Sequence, residues 1–127
     1  MVEYLTADEV ILMNELALKS NGTLISRSGI EGAVNRPQTM AHYENADLIT
    51  QAAFLYMGIA LAHAFRDGNK RTATAAGEAF LSMNGYQLIA ADREVGQQVE
   101  AMIVRKETGE EPLPLFLKWL QQHVQSL

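Results

Sequence analysis

The sequence predicts an all-α fold with little or no sheet. Three observations carry that expectation. Two capping boxes open apolar-periodic stretches, Thr6-Ala7-Asp8-Glu9 and Ser28-Gly29-Ile30-Glu31. Apolar residues recur at helical spacing along most of the chain. The run Ala52–Ala62 is apolar nearly all round, as fits a helix buried at the centre of a bundle.

The first helix is expected to start near Ala7, to place Val10, Met13, Leu16 and Ala17 on its apolar side, and to stop at Asn21-Gly22. The second capping box predicts a short helix that ends as Pro37 approaches, because the residue before proline disfavours the helical region. From Gln38 to Asn45 the periodicity is lost, which predicts a loop or extended flap. A central helix follows from about Asp47 to His63, and another from about Asn69 to Asn84, with Gly85 at its end. Tyr86-Gln87-Leu88-Ile89 reads as briefly extended. Helices near Arg93–Lys106 and Pro112–Ser126 complete the chain, with Thr108-Gly109-Glu110-Glu111 as the turn between them and Pro112 as a good first helical residue.

With 127 residues the chain is expected to form one domain, residues 1–127, able to bury a core without staples. There is no cysteine, which excludes a disulfide framework and thiolate chemistry. A net charge of −5 argues against a general nucleic-acid binder. The longest apolar run is too short to span a bilayer, which needs about 20 residues. Met1-Val2-Glu3-Tyr4 lacks a signal-peptide pattern. A soluble cytoplasmic protein is expected.

The chemistry concentrates in His63-Ala64-Phe65-Arg66-Asp67-Gly68-Asn69-Lys70-Arg71-Thr72. This segment joins two helices. A helix N-terminus is a ready anion site, because unpaired N–H groups and the positive dipole end face outward. Lys70 and Arg71 make phosphate the expected anion. Cations there oppose the helix dipole, so their placement costs stability unless an anion sits beside them. Asp67 next to a phosphate site suggests Mg2+, which is held by one or two carboxylates plus phosphate oxygens. Alone, Asp67-Gly68 would read as a turn pair. His63 ends the preceding helix and is placed to take a proton from a nucleophile. Phe65 reads as core, Arg66 and Thr72 as surface or capping residues, and Tyr43 and Tyr56 as packing. His42 and His123 carry no further signal. There is no P-loop, no Gly-x-Gly-x-x-Gly and no His-Glu-x-x-His zinc pattern.

The segment resembles the motif of the Fic/Doc family, whose Fic form runs His-Pro-Phe-x-Asp/Glu-Gly-Asn-Gly-Arg-x-x-Arg. His63, Phe65, Asp67, Gly68, Asn69 and Arg71 match it. Lys70 replaces the second glycine, the mark of the Doc (death-on-curing) toxin branch. Thr74 stands where the Fic form has its last arginine, and Leu61, Ala62 and Ala75 occupy places where Doc proteins carry polar or basic residues. Weaker similarity extends to Asn35-Arg36-Pro37 and to Phe80–Tyr86.

The resemblance implies a compact Fic/Doc-type helical bundle. It also implies an enzyme that moves the γ-phosphate of ATP to a protein hydroxyl, with a threonine of elongation factor Tu as the expected target. His63 would be the base, Asp67 would hold Mg2+, and Gly68, Asn69, Lys70 and Arg71 would cradle phosphate. The flap at Gln38–Asn45 would register the target backbone by strand addition. Self-inhibited Fic proteins carry Ser/Thr-x-x-x-Glu-Gly/Asn. Glu31-Gly32 and Glu44-Asn45 are preceded by Arg27 and Met40 at the required positions, so neither fits. The expected control is an antitoxin whose disordered tail folds onto the toxin. Two rival functions are AMP transfer, against which Lys70 argues, and a non-catalytic nucleotide- or partner-binding module, against which His63 and Asp67 weigh.

Overall fold

A computed structural model of the chain describes residues 1–20 and 23–127. Its elements run α1 (Ala7–Leu18), α2 (Arg27–Glu44), α3 (Leu48–Ala62), α4 (Asn69–Met83), β1 (Tyr86–Leu88), α5 (Asp92–Glu107), α6 (Leu113–His123) and β2 (Val124–Ser126). The helical class expected from the sequence is therefore observed, with one small two-stranded antiparallel sheet formed by β1 and β2.

α1 starts as its capping box dictates. Thr6 accepts from the Glu9 N–H, and Glu9 accepts from the Thr6 N–H. The expected stop at Asn21-Gly22 lies outside the described residues; the helix ends at Leu18, with Lys19 left-handed at its cap. Its inward stripe differs from expectation. Val10 is buried, but Leu16 and Ala17 are exposed, and Asn14 is fully buried instead. The face is turned by a polar group that has partners inside.

α2 departs most from the sequence reading. Its cap is Ser26, which accepts from the Gly29 N–H. The helix then runs through Pro37 to Glu44. A proline inside a helix removes one hydrogen bond and costs ~3 kcal/mol or more. Tertiary packing offsets that cost: Ile30, Ala33, Val34 and Pro37 are all buried on one side. Ala33 approaches Gly58 of α3 so closely that a Cβ on Gly58 would lie 3.2 Å from the Ala33 Cα. The expected flap at Gln38–Asn45 is thus helical up to Asn45, a left-handed cap. Its backbone groups are engaged within the helix, so it offers no free strand edge to a target.

α3 is the central helix. Asp47 caps it by accepting from the Thr50 N–H at 2.8 Å. It packs against α2, α4, α5 and α6, and Gln51 to Tyr56, Ile59 and Ala60 are buried. Against α4 the approach is tight, because Gly77 leaves space that the Tyr56 ring fills; a Cβ there would sit 2.2 Å from that ring.

α6 ends three residues earlier than expected, at His123. The following Val124–Ser126 pairs with β1, since β1 needs a partner for its open edge. The Ile89 N–H donates to His123 O at 2.7 Å and the Leu127 N–H to Gly85 O at 2.9 Å. Pro112 is the cap rather than the first helical residue. Among the described residues, no helix is long and apolar enough to cross a membrane.

Candidate active site

α3 and α4 are joined by residues 63–68, and the joint is built by four local devices. First, His63 caps α3 in the left-handed region at φ 48°. Histidine is one of the few side chains enriched there. The turn makes the chain leave the helix with the imidazole exposed and without a hydrogen-bond partner among the described residues.

Second, the next residues are pinned against residues 23–26. Ala64 O accepts from the Ile25 N–H at 2.7 Å and the Ser26 N–H at 3.1 Å, and the Arg66 N–H donates to Thr23 O at 2.6 Å. Leu24 and Phe65 form an antiparallel bridge there. Phe65 is core, as expected. Third, the Asn69 side chain clamps the Phe65 peptide: its Oδ1 accepts from the Phe65 N–H at 3.1 Å, and its Nδ2 donates to Phe65 O at 2.8 Å. The amide of Asn69 therefore shapes the loop, leaving its backbone N–H for a ligand.

Fourth, Gly68 caps α4 at φ 80°, and a Cβ there would meet Leu18 at 2.9 Å and Asn14 Nδ2 at 3.1 Å. The backbone conformation favours glycine, and a side chain there would also press on Leu18 and the Asn14 amide. α4 has no side-chain cap and no acid in its first turn. Asp67 Oδ1 accepts from the Gly68 N–H at 2.8 Å, ahead of the helix. The first-turn N–H groups thus remain available to an outside anion.

Beneath the loop lies a buried polar hub that the sequence reading missed. Asn14 Nδ2 donates to Asp67 O and to Thr72 Oγ1, each at 3.0 Å. Asn14 Oδ1 accepts a short hydrogen bond from the Thr23 hydroxyl. Thr72 Oγ1 in turn donates to Gly68 O at 2.8 Å. Thr72 is completely buried, so it is neither a surface nor a capping residue. The available signal was a polar residue four places after Val10, on the inward side of α1. Tyr56 is buried as expected, but Tyr43 is exposed and touches only the His42 ring among aromatic groups.

These devices bring every residue expected to act as base, metal ligand or phosphate binder to one cavity of about 470 Å³. His63, Asp67, Gly68, Asn69, Lys70 and Arg71 all line it, with Arg66, Leu18, Ala60, Ile103 and Glu100. Glu100, from α5, is the second residue that the sequence reading missed. Its Oε2 lies 2.7 Å from Lys70 Nζ, and both side chains are half exposed. It supplies in part the negative charge that a cation at this helix end calls for. Arg71 makes no ion pair among the described residues.

The residues fit a magnesium–phosphate group. Asp67 is an exposed carboxylate with one oxygen engaged by Gly68, leaving the other to face the cavity lined by two cations and open N–H groups. Magnesium needs only one or two protein carboxylates when phosphate oxygens complete its shell. Among the described residues, no group of three or more His, Cys, Asp or Glu side chains gathers as a protein cage for a metal ion.

Residues 4–81 match the family model described as Fic/DOC family. The chain is also 38% identical over 104 residues to a protein named Toxin Doc from Mycolicibacterium smegmatis (strain ATCC 700084 / mc(2)155). That similarity covers 80% of this chain and 79% of the relative.

Proposed function

This chain belongs to the Fic/Doc family, in its Doc branch, and from that premise we propose that it is the toxin of a toxin–antitoxin pair, a protein phosphotransferase that uses ATP. The 127-residue chain acts as one domain in the cytoplasm. The observation that carries the reading is the shared cavity: an imidazole without a hydrogen-bond partner among the described residues lines it together with the open N-terminus of α4 and its two cations.

In this reading His63 accepts the proton of a target hydroxyl as its oxygen attacks the γ-phosphorus. The new O–P bond forms, the bond to the β-phosphate oxygen breaks, and ADP leaves. Base catalysis of this kind contributes about 10²–10⁴ in rate. Asn69, Lys70 and Arg71 hold the phosphates, the first through its backbone N–H and the last two through charge, while Gly68, whose own N–H is taken by Asp67, shapes the turn that opens the helix end to them. Asp67 would hold Mg2+, which when bound neutralises phosphate charge. Asn69 and Asn14 act earlier, by fixing the loop before substrate arrives.

The target is a protein hydroxyl, with a threonine of elongation factor Tu as the first candidate, so that the product would block translation. The antitoxin would bring a tail that folds on binding. The decisive experiment is to incubate the protein with elongation factor Tu, Mg2+ and ATP and weigh the product. Added phosphate is expected. Added AMP would replace the phosphotransferase reading by adenylyl transfer, and an unchanged mass would remove elongation factor Tu as the target.

A further inference from the structure

Another cavity, of about 560 Å³, lies on the α2 side of α3 and takes no wall from α4. Its floor is α3, through Phe54, Met57 and Leu61. Its walls are Arg36 of α2, Lys106 near the end of α5, and the turn Glu111-Pro112-Leu113 that enters α6. The floor is apolar because α3 carries no charged side chain from Leu48 to Ala62.

The walls are charged, and the charges are unequal. Arg36 and Lys106 are exposed cations, and neither makes an ion pair among the described residues. Glu111 is the one carboxylate among the described lining residues. The Arg36 guanidinium carbon lies 5.2 Å from the centroid of the Phe54 ring. That contact lays the cation along the apolar floor and leaves its planar set of N–H donors to meet a carboxylate.

The place of the cavity ties it to the candidate active site. Leu61 and Ala62, which both line it, are the last two residues of α3 before His63. On α5, Lys106 stands three residues beyond Ile103, which lines the active-site cavity with Ala60 and His63. The groove therefore runs from Arg36 over Phe54 to the end of α3 that carries the base. From Phe54 to Leu61 the floor spans about 10 Å at ~1.5 Å per residue, the length of roughly three extended residues. The helical course of α2 through Glu44 leaves no strand edge on which a target backbone could be registered. A target segment then has to be gripped by side chains, and this groove offers them.

We propose that this α2–α3 groove docks the target protein, taking a short extended segment that carries carboxylates and apolar side chains together. The apolar groups lie on Met57 and Leu61, the carboxylates meet Arg36 and Lys106, and the target hydroxyl enters beside His63. The inference rests on the reading that the chain modifies a protein. A basic segment is repelled by the two cations. A nucleic acid matches neither the apolar floor nor a chain of net charge −5.

The probe is an N-terminally fluorescein-labelled peptide, Asp-Phe-Glu-Leu-Asp-Phe, followed by anisotropy on wild type, Lys106→Glu, Arg36→Gln and Lys118→Glu. Lys118 is exposed on α6 and lies outside the groove. Wild type is expected to bind the peptide, more weakly as salt is added. Lys106→Glu and Arg36→Gln should each weaken binding by about threefold to tenfold, and Lys118→Glu by less than about twofold. The labelled control Lys-Phe-Lys-Leu-Lys-Phe should bind at least about tenfold more weakly. Thermal unfolding checks that each variant is folded; Arg36→Gln gives up the contact with Phe54, so Lys106→Glu, at an exposed helix end, decides. In phosphate transfer to elongation factor Tu, the unlabelled acidic peptide should raise the KM for the target while kcat and the KM for ATP stay within about twofold. The inference is overturned if the acidic peptide does not bind, if Lys106→Glu binds it as wild type does, if the basic peptide or a labelled oligothymidylate binds more tightly, or if a working transfer reaction is not inhibited; none of these touches the phosphotransferase reading. Peptide held in the groove with no phosphate transferred to elongation factor Tu upholds the docking surface and removes only that target.

Discussion

Replacing Asn14 by alanine tests whether the loop is held from beneath. The side chain is completely buried and makes three hydrogen bonds, to Asp67 O, to Thr72 Oγ1 and from the Thr23 hydroxyl. Not every partner is stranded by its loss. Thr72 keeps its bond to Gly68 O at 2.8 Å, and Thr23 and Asp67 reach solvent. At about 1 kcal/mol net per bond, the expected loss is roughly 2–3 kcal/mol. For a domain of this size, between the two classes usually quoted, each kcal/mol moves Tm by about 3–5 °C, so Tm should fall by roughly 6–15 °C. Asn14→Asp separates lost donors from lost volume. It keeps the shape but cannot donate to Asp67 O, and it puts an unpaired charge in the core, so it should cost at least as much. Asn35→Ala, on an exposed stretch of α2, should stay within about 0.5 kcal/mol. Thermal unfolding reads stability, and ATP titration with Mg2+ reads the loop. A fall of less than about 3 °C in Asn14→Ala would mean under 1 kcal/mol and would refute the hub. A large fall in Tm with unchanged ATP affinity would show that Asn14 supports the core but not the site.

His63→Ala should lower phosphate transfer by about 10²–10⁴ while the protein stays folded, because the exposed imidazole has no hydrogen-bond partner to lose among the described residues; an unchanged rate in single-turnover assays would remove the base assignment. Lys70→Gly should reduce transfer of γ-labelled phosphate, since a charge-assisted phosphate contact is worth about 1.5–3 kcal/mol, without giving clean transfer of α-label, because Thr74 supplies no guanidinium; undiminished γ-label transfer would make Lys70 a bystander. Glu78→Gln should raise Tm at about pH 7 and lose that gain at about pH 4. Burial and Asp92 raise the Glu78 carboxyl above its ordinary range, so the folded state resists its ionisation at neutral pH and is indifferent once the acid is protonated in both states. A Gln variant less stable than wild type at neutral pH would show that the charge is satisfied after all.

The site was legible because its chemistry is contiguous. His63 to Arg71 lie within one helix end, one turn and one helix start, so spacing alone brings them to one cavity. What supports them was not legible, because it comes from far along the chain. Asn14 reaches across 53 residues to Asp67, and Glu100 across 30 to Lys70. A buried asparagine also looks like an interruption of an apolar stripe until its partners are known. The failure at Pro37 has a related cause. The local rule correctly priced the lost hydrogen bond, but it could not see that Ala33, Val34 and Pro37 would be buried together and that Ala33 would approach Gly58. The strand after α6 was hidden likewise, since Val124–Ser126 is extended only because β1 offers an edge. Local signals set where two of the helices begin, since Thr6 and Asp47 cap where a sequence reading puts them, but α2 is capped by Ser26 and not by the box that starts at Ser28. Packing decides how far they run. The same division bears on function. In the proposed reading the phosphate end of the donor would be held by the contiguous motif, whereas α5, which supplies Glu100, lies wholly beyond the segment matched by the family model. Changes at Glu100 are then expected to alter how Lys70 is held, while changes in residues 63–71 are expected to alter whether phosphate is transferred at all.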